Sequence, residues 1–542
     1  MRNLFIYLKN NIFKLVNLKH IIIHPFLIII YPVLFLYIRT GFEIELIQIF
    51  RSIIFLLLFS AVLLASLYWF LRDWDRTGIL TTLWIVYLFY FGSSFRVIQG
   101  KSIIGINLSN PITLFILWTI LFGFLSIIII KSHLKYSEIF TLWLNIVAIV
   151  VILQPIFYTA VILKLNSDDP LMDWNPNQIV HDPIIIEGPL PDIYYIVLDG
   201  YGREDILFEV FNYSNQDFIN GLRNRDFYIA DQSNTNYVQT ALSLASSLNL
   251  DYLSQLQESG ESSRNRIHLK NLISESQIRE FLNFYNYQLI TFNTGYNLTK
   301  IEDPDIYFDN FVALNSFEEV ILSNSILFLL DDYSNNKLPF FSYKTHRSRI
   351  QFTLDQIQDI PSIEAPTFTV AHIMIPHPPF VFDKDGKPVS PDWPFNIQDA
   401  NLFSGSRSYY KSGYIDQLIY ANDQVLSLID TVMNESESPP IIIIQGDHGS
   451  RMLLNWDSED ENCFREAGSI LNAYYLPGID LSNLYPSISP VNSFRIVLNE
   501  FFSQNLPILE DRTYFSNFSQ PYNFEDITDK LTEACDVSGF SQ

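Results

Sequence analysis

The sequence predicts a chain in two parts: a helical membrane domain of about five spans, then an α/β domain with a largely parallel central sheet. Three observations lead there. Apolar stretches long enough to cross a bilayer fill the first third of the chain and then stop. The acidic charge lies almost wholly beyond them. After them, short apolar runs alternate with longer amphipathic stretches.

The apolar stretches are Ile21–Ile38, Ile53–Leu71, Ile79–Phe95, Pro111–Ile130 and Ile139–Leu163. Each is about long enough to cross ~30 Å of hydrocarbon as a helix. Charges sit in the gaps between them. Arg2, Lys9, Lys14 and Lys19 precede the first span, Arg72 and Arg76 follow the second, and Lys131 and Lys135 follow the fourth. By the positive-inside bias this places the N-terminus in the cytoplasm. An odd number of spans then carries the rest of the chain outside a plasma (inner) membrane. No small-residue cleavage site follows the first span, which therefore reads as a retained anchor. His20, His24 and His133 fall at span edges and are expected to be interfacial.

Up to Asn166, thirteen Lys and Arg stand against five Asp and Glu, leaving 21 against 53 for the remainder. An acidic outer region of that size excludes nucleic acid as a partner, because phosphate backbones need a basic surface. Residues 167–191 carry Pro170, Pro176, Pro183, Pro189 and Pro191 and read as a stiff linker. The domains are therefore expected at 1–166 (membrane), 167–191 (linker) and 192–542 (extracytoplasmic). Two cysteines, Cys463 and Cys535, are too few for a disulfide framework. They can pair if the region is extracytoplasmic, and the sequence leaves that open.

The α/β expectation rests on the runs Ile193–Leu198, Phe227–Ile229, Gln288–Phe292, Thr367–Met374, Ile441–Ile444 and Asn472–Leu476. Amphipathic stretches such as Leu272–Tyr285 and Tyr414–Met433 lie between them. Continuous apolar runs suit strands buried on both faces, as in parallel sheets. Ligands then collect beyond the carboxyl ends of the strands.

Three polar clusters sit at such ends: Asp199 to Arg203, His372 with His377-Pro378-Pro379, and Gly446-Asp447-His448-Gly449-Ser450-Arg451. Carboxylates and imidazoles converging on one sheet edge suit a divalent metal, since zinc accepts oxygen and nitrogen ligands. An Asp at a strand end is ordinarily a turn former, so each cluster alone is weak and the set is more telling. A fourth segment, Asn234 to Leu248, opens a helix rich in hydroxyl residues. There Thr240 is either a helix cap or a nucleophile at an anion-binding helix start. His268 and His346 are expected to be exposed, the latter in a basic knot with Lys344, Arg347 and Arg349. The aromatic tail beyond Pro507 is expected to pack on the domain surface.

In the order Asp199, Thr240, His377, Asp447-His448, the chain resembles the alkaline-phosphatase superfamily in its sulfatase-like branch. It is most similar there to lipoteichoic acid synthases and lipid A phosphoethanolamine transferases, which also carry five spans ahead of an outer catalytic domain. The Thr240-Ala241-Leu242-Ser243 segment matches that family's Thr-x-x-Ser context. The resemblance implies that Asp199, Thr240, Asp447 and His448 hold one divalent ion, zinc or manganese. It implies Thr240 as the nucleophile and His377 as a catalytic partner. His372, His377 and Arg451 then contact substrate. It also implies transfer of a phospho-alcohol group from a membrane lipid donor to a glycan or lipid acceptor, by way of a phospho-threonine.

The chain departs from the transferases in carrying Asp199 where they usually have Glu. No further His occurs from Arg451 to Gly468. The Pro and Arg of the formylglycine-sulfatase context are absent after Thr240. The alternatives are a phosphodiesterase, phosphatase or sulfuric-ester hydrolase, and a non-catalytic surface-binding protein with the same fold. Oligomeric state is not legible.

Overall fold

The computed structural model describes residues 21–39, 46–98, 102–103, 106–107, 110–131, 137–167, 188–260, 263–310, 316–327, 329, 342–391, 393, 395–458 and 462–535. Most of the expected linker, and His20, His133 and His181, lie outside the described residues. The chain divides into two compact units. The first holds Met1–Asp168 together with Ala313–Ser342 and Asp392–Phe395; the second holds Asp169–Val312, Tyr343–Pro391 and Asn396–Gln542.

In the first unit the helices used below are α1 (His24–Arg39), α2 (Leu46–Leu71), α3 (Trp74–Phe89), α4 (Phe91–Ile98), α5 (Pro111–Lys131) and α6 (Ser137–Ser167). Among the described residues three helices are long and apolar enough to cross a membrane: Ile49–Leu71, Pro111–Lys131 and Ser137–Val161. They make the chain a membrane protein.

The third expected span is instead a pair, α3 and α4, bent by 54°, and counting it as one span gives four. The first is short. At 1.5 Å per residue the 16 residues of α1 reach only about 24 Å, less than the ~30 Å hydrocarbon core. His24, expected at an interface, is buried instead. Its Nδ1 lies 2.5 Å from the Thr82 hydroxyl, and Asn145 Oδ1 accepts its backbone N–H at 3.1 Å.

The second unit is built on seven strands: β1 (Ile193–Leu198), β2 (Tyr228–Ile229), β3 (Gln288–Phe292), β4 (Ile306–Phe308), β5 (Thr367–Ile373), β6 (Ile441–Gly446) and β7 (Asn472–Tyr475). Their order is β2-β7-β6-β1-β5-β3-β4. The five strands from β6 to β4 are mutually parallel, and β7 runs antiparallel to both β6 and β2, so the sheet is mixed and mostly parallel. Strand β4 has no counterpart among the expected runs; its three residues are half-buried or exposed, so it lacks the apolar continuity that marks the others.

The centre of the sheet explains its sequence. Ile441, Ile442, Ile443 and Ile444 are wholly buried, with β1 on one side and β7 on the other. β-Branched chains fit a pleated surface covered on both faces. Burying each contributes roughly 1.5–3 kcal/mol. The aromatic tail reaches further in than expected. Tyr522 and Phe524 join the main apolar cluster and Phe515 a second one, because a tail that closes over strand-edge loops meets apolar partners such as Tyr237 and Phe464.

Candidate active site

Strand register assembles the site. Leu198 of β1 is paired with Ile373 of β5 on one side and with Gly446 of β6 on the other. The residues that follow each strand therefore leave the sheet side by side. Asp199 donates its backbone N–H to Ile373 O (2.9 Å) and accepts at its carbonyl from His377 N (3.0 Å). Gly200 N donates to Asp447 Oδ1 at 3.0 Å. Gly200 has φ +73, which a side chain would strain. Gly449 is required for room: a Cβ there would overlap the Glu466 carbonyl oxygen.

One helix braces all three loops. On α10 (Arg407–Glu435), which follows α7 (Thr240–Asn249), α8 (Ser316–Ser323) and α9 (Ser342–Ile357), Tyr410, Tyr414 and Gln417 share a face at i, i+4, i+7 spacing. The Tyr414 hydroxyl donates to Gly200 O (2.8 Å), Gln417 Nε2 donates to His377 O (3.0 Å), and the Tyr410 hydroxyl donates to Ser450 O.

Thr240 is the first residue of α7, and Gln239 is the cap residue. Its hydroxyl does not cap. It lies 3.1 Å from His448 Nε2. The same nitrogen is 3.2 Å from Asp199 Oδ1 and 3.3 Å from Asp447 Oδ2. His448 Nδ1 faces the Gly449 carbonyl at 2.7 Å. A carbonyl only accepts, so Nδ1 carries the proton of a neutral ring and Nε2 presents a lone pair. Three oxygens and a nitrogen lone pair thus converge with too few protons among them. Asp199 Oδ1, Asp447 Oδ2 and His372 Nε2 are buried with no hydrogen-bond partner.

Such a donor set fits a divalent cation, because unpaired buried acceptors are costly unless something positive lies between them. Ligand atoms of Asp199, His372 and Asp447 come within 4.8 Å of one another. His372 Nε2 is 3.2 Å from Asp199 Oδ2, and its Nδ1 lies 3.0 Å from the Thr299 hydroxyl. The structure therefore adds His372 to the four ligand candidates, beyond the substrate contact expected of it. Burial pushes the Asp199 carboxyl up, but the charge of the nearby His377 imidazole leads the effects that outweigh it and hold the group well below the usual carboxylate range.

Opposite lies a second constellation. His377 Nδ1 faces Pro378 O at 2.5 Å, and its Nε2 is 3.3 Å from Asp399 Oδ2. Arg451 Nη2 reaches that same oxygen at 2.5 Å, and its Nη1 donates to Val238 O at 3.0 Å. The His377 and His448 rings are 6.1 Å apart. Burial lowers the His377 pKa, yet Asp199 and Asp399 more than compensate and raise it. Burial raises Asp399, and Arg451 and His377 overcome this, holding the carboxyl far below its usual value.

Asp399, Glu466, Tyr410 and Gln417 were missed from sequence. Asp399 lies in the irregular stretch before α10 with no motif around it; the one available signal was that a buried Arg451 needs a counter-charge. His346 and His268 are buried, against expectation. For His346 the reason is its place on α9. Burial, then Arg349, His377 and Arg347, lower its pKa to about 3.

The family model for sulfatases matches residues 191–477. The chain belongs to the sulfatase family. It is an enzyme of sulfatase-like phosphotransferase or hydrolase type. Solved structures similar to this sulfatase-family chain include the integral membrane lipooligosaccharide phosphoethanolamine transferase A (EptA) from Neisseria meningitidis, at 11% identity over 89% of this chain and 95% of that one, with a TM-score of 0.40. The C-terminal periplasmic domain of EptC from Escherichia coli matches at 12% identity over 62% of this chain and 93% of that one, TM-score 0.39. The lipoteichoic acid synthase LtaP from Listeria monocytogenes matches at 14% identity over 62% and 76%, TM-score 0.33. No curated protein matches the sequence.

Proposed function

We propose that the chain is a membrane-anchored, metal-dependent transferase. It moves a phospho-alcohol group from a phospholipid to a surface glycan or lipid acceptor through a phospho-threonine at Thr240. The observation that carries this is the Thr240 hydroxyl. It opens a helix without capping it and lies instead against the lone pair of His448, beside Asp199 and Asp447.

Asp199, Asp447 and His448, with Thr240 itself, would hold zinc or manganese, and His372 stands ready as a further ligand. When bound, a divalent ion supplies Lewis-acid stabilisation of charge on the phosphoryl oxygens and eases ionisation of the Thr240 hydroxyl. Thr240 Oγ forms the bond to phosphorus while the bond to the donor's alcohol breaks. The N-terminus of α7 favours the negative charge of the bound group. His377, whose Nε2 lies against Asp399 Oδ2, would share that N–H with a phosphoryl oxygen or pass its proton to the leaving alcohol. An acceptor hydroxyl then displaces Thr240 and restores it.

Membrane placement suits a lipid donor, and contacts inside the first unit support five crossings with the N-terminus on the cytoplasmic side. Residues 313–342 leave the catalytic region between β4 and α9. Phe317 and Ile321 of α8 pack with Tyr37 near the end of α1, Ile49 near the start of α2 and Phe89 at the end of α3. Leu329 packs with Leu114 near the start of α5, and Glu318 pairs with Arg51 at 2.7 Å. The α1, α2 and α5 contacts fall at the ends expected on the catalytic side if α1, α2, the α3–α4 pair, α5 and α6 cross in alternation, while Phe89 lies at the bend inside the pair. On the same reading, 192–542 is the catalytic region, with 313–342 returned to the membrane unit.

The test is intact-mass spectrometry of the full chain in detergent after incubation with mixed phospholipids. A phospho-adduct on Thr240, absent in Thr240→Ala, is expected, and its mass identifies the group moved. An active Thr240→Ala protein sinks the mechanism. Bound metal without an adduct favours transfer to water.

A further inference from the structure

Resting on the reading just given, we propose that Asp399 is a positioning residue that fastens His377 and Arg451 into one buried arm gripping a phosphoryl-type oxyanion beside Thr240. A single carboxylate oxygen, Asp399 Oδ2, is shared by His377 Nε2 (3.3 Å) and Arg451 Nη2 (2.5 Å). All three residues are almost fully buried.

Every other contact of the arm holds it in place. The His377 ring is fixed at its far nitrogen by Pro378 O. Arg451 is held by Val238 O, two residues before Thr240. Its guanidinium also lies over the Trp456 ring, 5.3 Å from the centroid. The Trp456 indole N–H in turn donates to Asp399 Oδ1 at 3.4 Å. The backbone of Arg451 has φ +57. It is pinned on both sides, through Ser450 O to Tyr410 and through Met452 N to Glu466.

The arm has donors left over. Arg451 Nε is buried with no hydrogen-bond partner. A guanidinium offers five N–H bonds in a fixed fork, suited to the oxygens of a phosphate. A buried donor without an acceptor is costly and calls for one. The guanidinium lies between Val238, two residues before Thr240, and the Asp399 carboxylate that also meets His377. Asp399 therefore contacts the cations and the arm contacts the anion.

The sign of one substitution decides the matter. A carboxylate merely near an anion repels it, so Asp399→Asn would tighten anion binding. A carboxylate that orients the arm has the opposite effect. Inorganic phosphate is titrated calorimetrically into the full chain in detergent, with metal content and melting temperature matched between variants. Asp399→Asn is expected to weaken phosphate binding on the order of 10-fold or more, the scale seen for groups that orient a ligand-binding side chain. Asp399→Glu is expected to recover part of it.

Arg451→Gln is expected to weaken binding comparably, and the double variant little further. Unchanged or tighter binding in Asp399→Asn overturns the proposal, as does a wild-type chain that takes no phosphate. If Asp399→Asn does not fold, additive losses for Arg451→Gln and His377→Gln overturn it, since a shared arm loses its grip once. The same titration on Thr240→Ala separates the two readings. If Thr240 is not the nucleophile, the Asp399 dependence still stands.

Discussion

On one side of Thr240, the carboxylates of Asp199 and Asp447 and the lone pair of His448 crowd together with too few protons. On the other, His377 and Arg451 share one carboxylate, and Arg451 keeps a donor unspent. Both sides are buried, so neither can leave its imbalance to water. On the proposed reading the acceptor-rich side takes a cation and the donor-rich side an anion, with the Thr240 hydroxyl between them meeting a phosphoryl group. The sign of each side's imbalance would then separate metal from substrate.

The largest effect should come from breaking the acceptor-rich side. Asp447→Asn keeps the shape but removes a charge and leaves the amide donors of its side chain facing His448. Metal content, read by elemental analysis, is expected to fall from about one equivalent to background, with transfer falling on the order of 100-fold or more. A variant that keeps its metal and its activity would remove Asp447 from the ligand set.

That side was also the more legible one. Asp199 and Asp447-His448 follow apolar runs, His372 lies near the end of another strand, and register brings the ends of β1, β5 and β6 together. The fold was legible for the same reason, since Ile193–Leu198 and Ile441–Ile444 announce strands buried on both faces. The donor-rich side was legible only in His377 and Arg451. Asp399 sits in irregular chain, and its role depends on a tertiary contact that no local pattern encodes. The bracing face of Tyr410, Tyr414 and Gln417 was hidden similarly, inside a helix readable only as amphipathic. The membrane spans were legible in composition but not in shape, since neither the brevity of α1 nor the 54° bend between α3 and α4 alters an apolar run.

The loop that carries both Asp447-His448 and Arg451 packs on a disulfide-bound helix, which grips it most closely around Arg451. Cys463 and Cys535 are joined by a disulfide, with Cα atoms 5.3 Å apart and a sequence separation of 72. Cys463 caps the short helix Phe464–Gly468, its sulfur accepting from Glu466 N at 3.3 Å. Glu466 in turn holds the loop that presents Arg451. Replacing both cysteines by serine is expected to cost about 2–4 kcal/mol of stability, read as a lower melting temperature. Reductant should produce the same loss in the wild type and none in the variant. Metal content should fall less than phosphate binding, because Glu466 grips the two residues that flank Arg451. Equal loss of metal and phosphate binding would show that the two sides are not independent.

The smallest and most specific effect concerns Glu466 itself. Its carboxyl is fully buried and accepts from the Ser450 hydroxyl, Met452 N (2.7 Å) and Leu453 N (3.3 Å). Burial pushes its pKa up to about 7, and these hydrogen bonds and Arg451 only partly offset that. A carboxyl raised on folding binds more protons in the folded state. Its stabilising contribution is therefore complete below the unfolded value near 4.5 and is lost as pH rises through about 7. Between pH 5 and pH 8 the wild type should lose stability on the order of 1–3 kcal/mol relative to Glu466→Gln, which cannot ionise. The comparison is made on melting temperatures of the full chain in detergent. Parallel curves for the two proteins would mean that Glu466 is ionised throughout, stabilised by Arg451. The donor-rich side would then already contain a second internal anion, and its surplus of donors would be correspondingly smaller.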